Sequence, residues 1–244
     1  PLTLTTLSPD SPGLALGTAR GVVKRVTTDY PGNRDDWELI SLKAGDQVVG
    51  AVELRTGDED FVFITSDAQL LHFPAAAVRP QGRTAAGMAG IKLAAGARSV
   101  FFTAVDPEAD NLVVTSSGSS GALPGTEPGS LKVTPYAEYP AKGRATGGVR
   151  CHRFLRGEDI LVLGWAGGSP AKAAAANGVA LELPEATGKR DGSGIPAATP
   201  INAIVGPLPE PRNVLPEPPS DSADDGSALI PGPETTPEFP AGRE

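Results

Sequence analysis

The sequence contains few of the residues that form disulfides, metal centres and nucleophilic active sites. It has one cysteine, Cys151, and two histidines, His72 and His152, among 244 residues. A single cysteine excludes a disulfide within the chain, and this set cannot supply the four ligands of a four-cysteine or a two-cysteine, two-histidine zinc site. The scarcity of cysteine fits a reducing compartment, so we expect a cytoplasmic protein.

Long apolar runs and targeting signals are also absent. No run approaches the ~18 apolar residues of a membrane-spanning helix, and the first residues, PLT, lack the basic start of a secretory signal. We therefore expect no membrane partner. The chain starts without a methionine and in the middle of a pattern, so we expect it to be a piece of a longer polypeptide.

Positive charge is scarce overall, since 21 Lys and Arg against 29 Asp and Glu give a net charge of −8. This total at first argues against a nucleic-acid partner, because such domains are usually basic. The distribution changes that argument. Residues 207–244 hold eight acids, two bases and ten of the 25 prolines, a net of −6, which leaves −2 for residues 1–206.

The segment 207–244 has too few large apolar residues to bury a core. We therefore expect a disordered, proline-rich acidic tail. Two roles stay open for it: a solubilising end, or a negatively charged arm that competes with an anionic ligand for basic surface.

Helical periodicity is hard to find in the rest of the chain. Short β-rich runs recur instead between Gly, Pro, Asn and Asp, and they predict an all-β fold. The runs are VVKRV, VVGAVEL, FVFITS, SVFFTAV, NLVVTSS, ILVLGWA and VALEL. The alanine-rich stretch 173–176 runs into Asn177-Gly178 and then into alternating apolar residues, which favours a hairpin with a type I′ turn over a helix.

Three of these runs, VVGAVEL, SVFFTAV and ILVLGWA, each follow the same short pattern. In this pattern an apolar residue is followed by a glycine three positions later. The glycines, Gly45, Gly96 and Gly157, are 51 and 61 residues apart. We interpret each unit as strand, turn and strand, preceded by a hairpin with its turn at residues 19–21, 67–69 or 118–121, and a fourth hairpin follows at Asn177-Gly178. A strand-only period of about 50 residues is typical of a propeller-like array. We expect about four four-stranded blades in residues 14–206, after an N-terminal extension over residues 1–13.

A polar connection lies between the hairpin and the glycine unit of each later repeat. Residues 81–87 (QGRTAAG), 142–148 (KGRATGG) and 188–194 (GKRDGSG) share an arginine with a glycine four residues later. We call them Arg–Gly loops 1, 2 and 3. Glycine lets backbone amides approach a phosphate and an arginine fork matches phosphate geometry, so the repetition predicts a track of phosphate contacts along one rim. The alternative is that Arg and Gly serve only as turn residues at the corners of the blades.

The local charge supports a phosphate partner. Residues 68–105 contain four bases and no acid, and residues 130–156 contain six bases and one acid, Glu138. Basic segments of this kind are expected where a protein contacts a duplex backbone without reading its bases.

These segments resemble the C-terminal domain of bacterial type IIA topoisomerase A subunits, the family of DNA gyrase and topoisomerase IV. The resemblance covers about residues 14–206 and includes the runs GVVKRV, LISLKAGDQVVGAVEL, AGIKLAAG and AEYPAKGRATGGV, of which the last is the most specific. In that family the domain is a β-pinwheel of five or six blades, around whose basic rim DNA bends. The resemblance therefore implies a β-pinwheel here.

The family's box in gyrase, Q-R-R-G-G-K-G, is incomplete in this chain. Its first, third and seventh positions are matched by Gln81, Arg83 and Gly87, and its third, fifth and seventh by Arg190, Gly192 and Gly194. The equivalent loop of the first unit, residues 33–38, is acidic. These departures imply DNA bending more than full wrapping, and a parent subunit that is more similar to topoisomerase IV than to gyrase.

The resemblance also implies the partners and the site. Double-stranded DNA would be the ligand, and the parent would be an ATP-dependent topoisomerase of A2B2 composition in the bacterial cytoplasm, associated with the nucleoid. The parent would cut DNA with an upstream tyrosine and Mg2+, and a B subunit would handle ATP, whereas this domain would have no cofactor and no catalytic residue. The candidate DNA contacts are Arg83, Lys92, Lys142, Arg144, Arg150, Lys189 and Arg190, with Arg153 and Arg156 as further candidates and Gly87, Gly148 and Gly194 as the loop glycines.

Other chemistry finds little support in the sequence. Tyr136 and Tyr139 are expected to be packing or corner residues, and neighbouring residues on a strand such as Cys151 and His152 point to opposite faces, so they cannot form a nucleophile–base pair. The rival to DNA binding is a propeller-like protein-interaction module that uses its rim or channel for a peptide.

Overall fold

The computed structural model describes residues 2–6, 8–123 and 125–207, so the tail expected over 207–244 lies outside the described residues except for Pro207. The described residues form sixteen β-strands and two short 3-10 helices, Ala75–Ala77 and Tyr136–Glu138. Within these ranges no helix has the length and apolarity needed to cross a membrane. The strands are β1 (Leu14–Thr18), β2 (Val22–Val26), β3 (Val48–Glu53), β4 (Asp60–Thr65), β5 (Gln69–Pro74), β6 (Pro80–Gln81), β7 (Met88–Ala89), β8 (Ser99–Val105), β9 (Asn111–Gly118), β10 (Ser130–Pro135), β11 (Val149–Arg150), β12 (Ile160–Gly168), β13 (Lys172–Ala174), β14 (Ala180–Leu181), β15 (Ile195–Pro196) and β16 (Ala203–Val205).

These strands form four sheets, which we call blades 1 to 4. Their orders are β3-β1-β2-β6 with β7 also paired to β2, β11-β5-β4-β8, β12-β9-β10-β15, and β14-β13-β16. Each blade is built on one hairpin, β1–β2, β4–β5, β9–β10 or β13–β14. A later strand, β3, β8, β12 or β16, pairs with the first strand of that hairpin. The predicted all-β architecture is confirmed.

Neighbouring blades exchange strands. β7 follows the hairpin of blade 2 but pairs with β2 of blade 1. In the same way β11 pairs with β5 of blade 2, and β15 pairs with β10 of blade 3. Because β7, β11 and β15 come directly after the Arg–Gly loops, the exchange places each loop at the edge of the preceding blade. Among the described residues, β14 of blade 4 receives no such strand.

The core lies between the blades, and the alternation along β4 shows why. Side chains of a strand point in turn to opposite faces of the sheet. Phe61 and Phe63 pack with Phe102 in a cluster that reaches blade 1, whereas Val62 and Ile64 pack in a cluster that reaches blade 3. All four side chains are completely buried, and each burial contributes roughly 1.5–3 kcal/mol.

Close packing between blades requires glycine at particular strand positions. A Cβ on Gly17 of β1 would lie 2.1 Å from Cγ of Phe102 in β8. A further cluster packs Val114, Leu131 and Val133 of blade 3 against Ile204 of β16 in blade 4. On blade 1, Leu14, Leu16 and Val26 pack with Ile40. The blades therefore stack face to face, as the repeat predicted.

Three local expectations were wrong. The residues before Gly45, Gly96 and Gly157 form no strand, so each unit is a turn followed by one strand. In VALEL only Ala180–Leu181 is paired. At Asn177-Gly178 only the glycine has a positive φ, +80°, and the hydrogen bond from Ala175 N to Val179 O encloses a three-residue loop with glycine in the left-handed region, not a type I′ turn.

Candidate nucleic-acid interface

The three Arg–Gly loops are equivalent in three dimensions. Each loop leads into a strand whose first residue pairs with the second strand of the preceding blade, and the pairs are Met88 with Val23, Val149 with Leu70, and Ile195 with Leu131. The loop arginine precedes that first residue by five positions in every case. Arg83, Arg144 and Arg190 thus occupy the same site on successive blades, as the sequence pattern predicted.

The last glycine of each loop passes against the backbone of the preceding blade. A Cβ on Gly87 would lie 2.8 Å from the main-chain oxygen of Val23, one on Gly148 would lie 2.4 Å from that of Leu70, and one on Gly194 would lie 2.7 Å from that of Leu131. Gly87 and Gly148 also have positive φ angles of +83° and +75°. A packing requirement therefore accounts for these glycines, and their role near a phosphate stays a prediction.

The predicted cationic side chains differ in exposure. Arg83, Arg144 and Arg190 are partly buried at the loop arginine position. The exposed candidates are Lys92, Lys142, Arg150, Lys189, Arg153 and Arg156. The guanidinium of Arg144 donates a hydrogen bond of 2.5 Å to the main-chain oxygen of Ala89, so part of its donor set serves the contact between loop 2 and blade 1.

One repeated hydrogen bond joins the segment that follows a loop to the next Arg–Gly loop. The amide of Lys92, five residues after Gly87, donates to the main-chain oxygen of Thr146 in loop 2 at 2.9 Å. The equivalent amide of Arg153 donates to the main-chain oxygen of Gly192 in loop 3 at 3.0 Å. Each bond brings an exposed cation of one repeat next to the loop of the following repeat. Lys92 therefore lies beside loop 2, and Arg153 lies beside loop 3.

Two lysines that the sequence did not single out lie buried beneath loops 1 and 3. Nζ of Lys24 donates to the main-chain oxygens of Leu39, Arg83 and Ala85 at 2.7, 2.5 and 2.8 Å. Its side chain is completely buried. Burial lowers the pKa of Lys24, and the carboxylate of Glu38 acts in the opposite direction.

Lys132 is the second buried lysine, 3% exposed. Its Nζ donates to Oγ1 of Thr134 and to the main-chain oxygens of Cys151 and Arg190, at 2.7, 3.0 and 2.7 Å. Burial lowers the pKa of Lys132 to about 8. Because Lys132 is buried, the six bases of segment 130–156 overstate the charge that this segment offers to a ligand. A lysine inside the otherwise uncharged run SLKVTP was the available signal.

The side chains of Cys151 and His152 contact different groups of residues. Cys151 is completely buried in the cluster between blades 2 and 3, where burial raises the pKa of its thiol to about 12. Nδ1 of His152 lies 2.9 Å from Oγ1 of Thr115, and Nε2 lies 3.1 Å from Oγ of Ser130. Burial lowers the pKa of His152 to about 4, so its ring is neutral at physiological pH.

Other buried polar groups also have structural contacts. Tyr136 and Tyr139 are buried in the same cluster as Cys151, as predicted. The carboxylate of Glu59 accepts hydrogen bonds from the amides of Thr56 and Gly57 at 3.0 and 2.8 Å. Within the described ranges no group of three or more His, Cys, Asp and Glu residues could hold a metal ion.

The acidic connection of blade 1 differs from the Arg–Gly loops. The rings of Tyr30 and Trp37 lie 6.2 Å apart across it, and the residues between them are mostly exposed, including Arg34, Asp35 and Asp36. The connection of blade 1 therefore lacks the basic character of the three Arg–Gly loops.

Comparison with known proteins identifies similar domains. Residues 59–105 and 125–161 match the family described as DNA gyrase C-terminal domain, beta-propeller. The DNA gyrase A protein of Staphylococcus epidermidis is 34% identical over 139 residues, which cover 56% of this chain and 14% of that protein. The DNA gyrase A protein of Mycolicibacterium smegmatis is 31% identical over 157 residues, 63% of this chain and 17% of that protein. The chain thus spans only a small part of the gyrase proteins that it matches.

Solved structures show the same fold. The C-terminal domain of DNA topoisomerase IV superposes with a TM-score of 0.67 at 18% identity, over 81% of this chain and 62% of that one. The DNA gyrase A C-terminal domain superposes with a TM-score of 0.64 at 19% identity, over 82% of this chain and 66% of that one.

Proposed function

The chain carries a C-terminal domain of the DNA gyrase and topoisomerase IV A-subunit family, and we propose that this domain binds and bends duplex DNA along its Arg–Gly loops. The observation that carries the proposal is the repeated bond that joins Lys92 to loop 2 and Arg153 to loop 3. It supports a continuous row of cations on one side of consecutive blades, and such a row fits a phosphate backbone that curves.

The contacts in this proposal are electrostatic and independent of base sequence. The exposed cations Lys92, Lys142, Arg150 and Lys189 contact phosphates, and the partly buried loop arginines add forked contacts at fixed spacing. Arg153 and Arg156 extend the row. The incomplete box and the acidic connection of blade 1 support bending over a short arc more than full wrapping, which is the behaviour that we expect of a topoisomerase IV-like parent.

The parent enzyme in this proposal is a bacterial cytoplasmic type IIA topoisomerase of A2B2 composition. This domain presents DNA to the parent without taking part in strand cleavage. Mg2+ and ATP act elsewhere in the enzyme, the ATP on the B subunit.

Charge reversal on the row tests the proposal. Arg83→Glu combined with Arg144→Glu should lower duplex affinity at low salt by about 100-fold or more, because two phosphate contacts become repulsions. Lys43→Glu combined with Lys172→Glu is the matched control, since it changes the net charge equally at two exposed residues outside the loops. Equal losses in the two double variants would contradict a specific row, and no loss in either would show that the Arg–Gly loops are not the DNA contact.

A second candidate function, capture of a peptide, is favoured by one cleft. It has a volume of about 370 Å³ and lies between blades 3 and 4, beside β14, which is an edge strand within the described residues. Its lining is mostly apolar and includes Leu131, Leu181, Leu183, Ile195 and Ile201. Salt dependence separates the two functions, because phosphate contacts release counterions. Affinity for duplex DNA that falls steeply with salt supports the first function, and a ligand whose binding is insensitive to salt supports the second.

A further inference from the structure

Two buried lysines bind the main chain of the loop arginines themselves. Nζ of Lys24 lies 2.5 Å from the main-chain oxygen of Arg83, and Nζ of Lys132 lies 2.7 Å from that of Arg190. Neither lysine is exposed enough to contact a ligand. Their ammonium groups therefore form hydrogen bonds with the loops and not with a ligand.

Blade 2 provides an internal comparison. The strand pairs place Lys24, Leu71 and Lys132 at equivalent positions, each one residue after the strand residue that pairs with the loop exit. Leu71 is buried and has no donor for a loop. Loop 2 is held instead by main-chain bonds, from Lys142 N to His72 O at 3.1 Å and from Ala145 N to Gly90 O at 2.6 Å.

The physical reason for a lysine lies in the number of acceptors. A buried carbonyl oxygen without a donor is costly, and the three hydrogens of an ammonium can serve three acceptors at once. Lys24 satisfies Leu39, Arg83 and Ala85 in this way. Because one of these acceptors belongs to the arginine, the bond fixes the peptide plane from which the guanidinium side chain extends.

We propose that Lys24 and Lys132 are positioning residues, which fix the main chain of Arg83 and Arg190 so that these arginines meet a phosphate backbone at a set spacing. The inference rests on the proposed function for its DNA contact. It predicts that Arg83 and Arg190 depend on a buried lysine and that Arg144 does not.

Amide hydrogen exchange on the full chain tests the positioning without DNA. Lys132→Met should raise exchange in loop 3 by about tenfold, the scale of one net hydrogen bond, and leave loop 2 unchanged. Lys24→Met should do the same in loop 1. Leu71→Met is the matched control and should change no loop. Lys132→Gln keeps a donor and should restore part of the protection, and it replaces the methionine variant if that variant does not fold.

Double-mutant cycles of duplex affinity test whether the two lysines affect DNA binding through Arg83 and Arg190. Residues that act as one unit have non-additive effects, whereas independent residues have additive effects. Lys132→Met should weaken binding by about tenfold in the wild-type background and have no further effect with Arg190→Ala. Its effect should be additive with that of Arg83→Ala. Lys24→Met should instead be non-additive with Arg83→Ala and additive with Arg190→Ala. A loss of stability alone would not make each lysine non-additive with only one of the two arginines.

The outcomes separate this inference from the proposed function. Unchanged exchange in loops 1 and 3, or additive cycles for both matched pairs, overturns the positioning role even if the wild-type chain binds DNA. A wild-type chain that does not bind duplex DNA overturns the proposed function and the phosphate contact. In that case the exchange experiment still decides whether the lysines hold the loops.

Discussion

Nδ1 of His72 lies 2.8 Å from Oδ2 of Asp60 in the interior of the protein. Nε2 of the same ring lies 2.9 Å from the main-chain oxygen of Tyr139, and the hydroxyl of Tyr136 donates to Oδ2 of Asp60 at 2.9 Å. Both ring nitrogens of His72 therefore have a hydrogen-bond partner. These buried contacts tie the hairpin of blade 2 to the segment after β10.

Replacing the carboxyl group of Asp60 should be costly. Asp60→Asn should lower the free energy of unfolding by about 2–3 kcal/mol, because it disturbs both buried hydrogen bonds of Oδ2, with His72 and with Tyr136. Tyr136→Phe removes one hydrogen bond and should cost only about 1 kcal/mol. Urea denaturation followed by tryptophan fluorescence measures both values. Equal losses in the two variants would show that the contact between Asp60 and His72 adds nothing to the hydrogen bond from Tyr136.

Gly148 and Gly147 offer a matched test of loop packing. Gly148→Ala should lower the free energy of unfolding by about 2–3 kcal/mol, since its Cβ would lie 2.4 Å from the main-chain oxygen of Leu70 at a φ of +75°. At Gly147 the nearest atom, the main-chain oxygen of Lys92, lies 3.8 Å away. Gly147→Ala should therefore change stability by less than about 0.5 kcal/mol. Thermal unfolding of the two variants should differ in this order, and a reversed order would contradict the close approach.

The lowered pKa of Lys132 predicts a dependence of stability on pH. The folded chain releases this proton near pH 8, whereas the unfolded chain holds it until about pH 10.5. Between these values the unfolded chain binds more protons, so this group makes the unfolding free energy rise with pH. The free energy of unfolding of the wild type should exceed that of Lys132→Met by an amount that grows by about 1–2 kcal/mol from pH 7.5 to 10. The other titrating groups are present in both proteins, so their contributions cancel in this difference. A difference that stays constant would mean that Lys132 titrates like an exposed lysine.

The acidic residues of segment 207–244 give a further prediction. Changing all eight to their amides in the full chain removes eight negative charges. Duplex affinity at low salt should then rise several-fold, and the gain should disappear near 0.5 M salt because screening shortens the range of charge interactions to a few ångströms. A chain with the same segment in shuffled order is the control and should bind like wild type. Equal affinities of the amide variant and wild type would reduce the segment to a spacer.

Much of the site could be predicted because it is local in sequence. The glycine after each loop arginine and the recurring β-rich runs identified the loops and most strands, since turns and strands depend on neighbouring residues. The type I′ turn at Asn177-Gly178 was wrong because several turn types accept that pair, and the choice among them depends on loop length. The buried lysines were missed because a lysine in a strand is usually at the surface.

The sequence by itself determined that the chain forms repeated β units with an arginine and a glycine at fixed positions in each connection. Only the tertiary structure decided that β7, β11 and β15 pair with the preceding blade, and so which cations become neighbours. Composition and periodicity act over a few residues, whereas Val23 and Met88 are brought together across 65 positions by the packing of one blade on the next. The same packing decides whether a lysine, such as Lys92 or Lys132, meets solvent or a buried carbonyl.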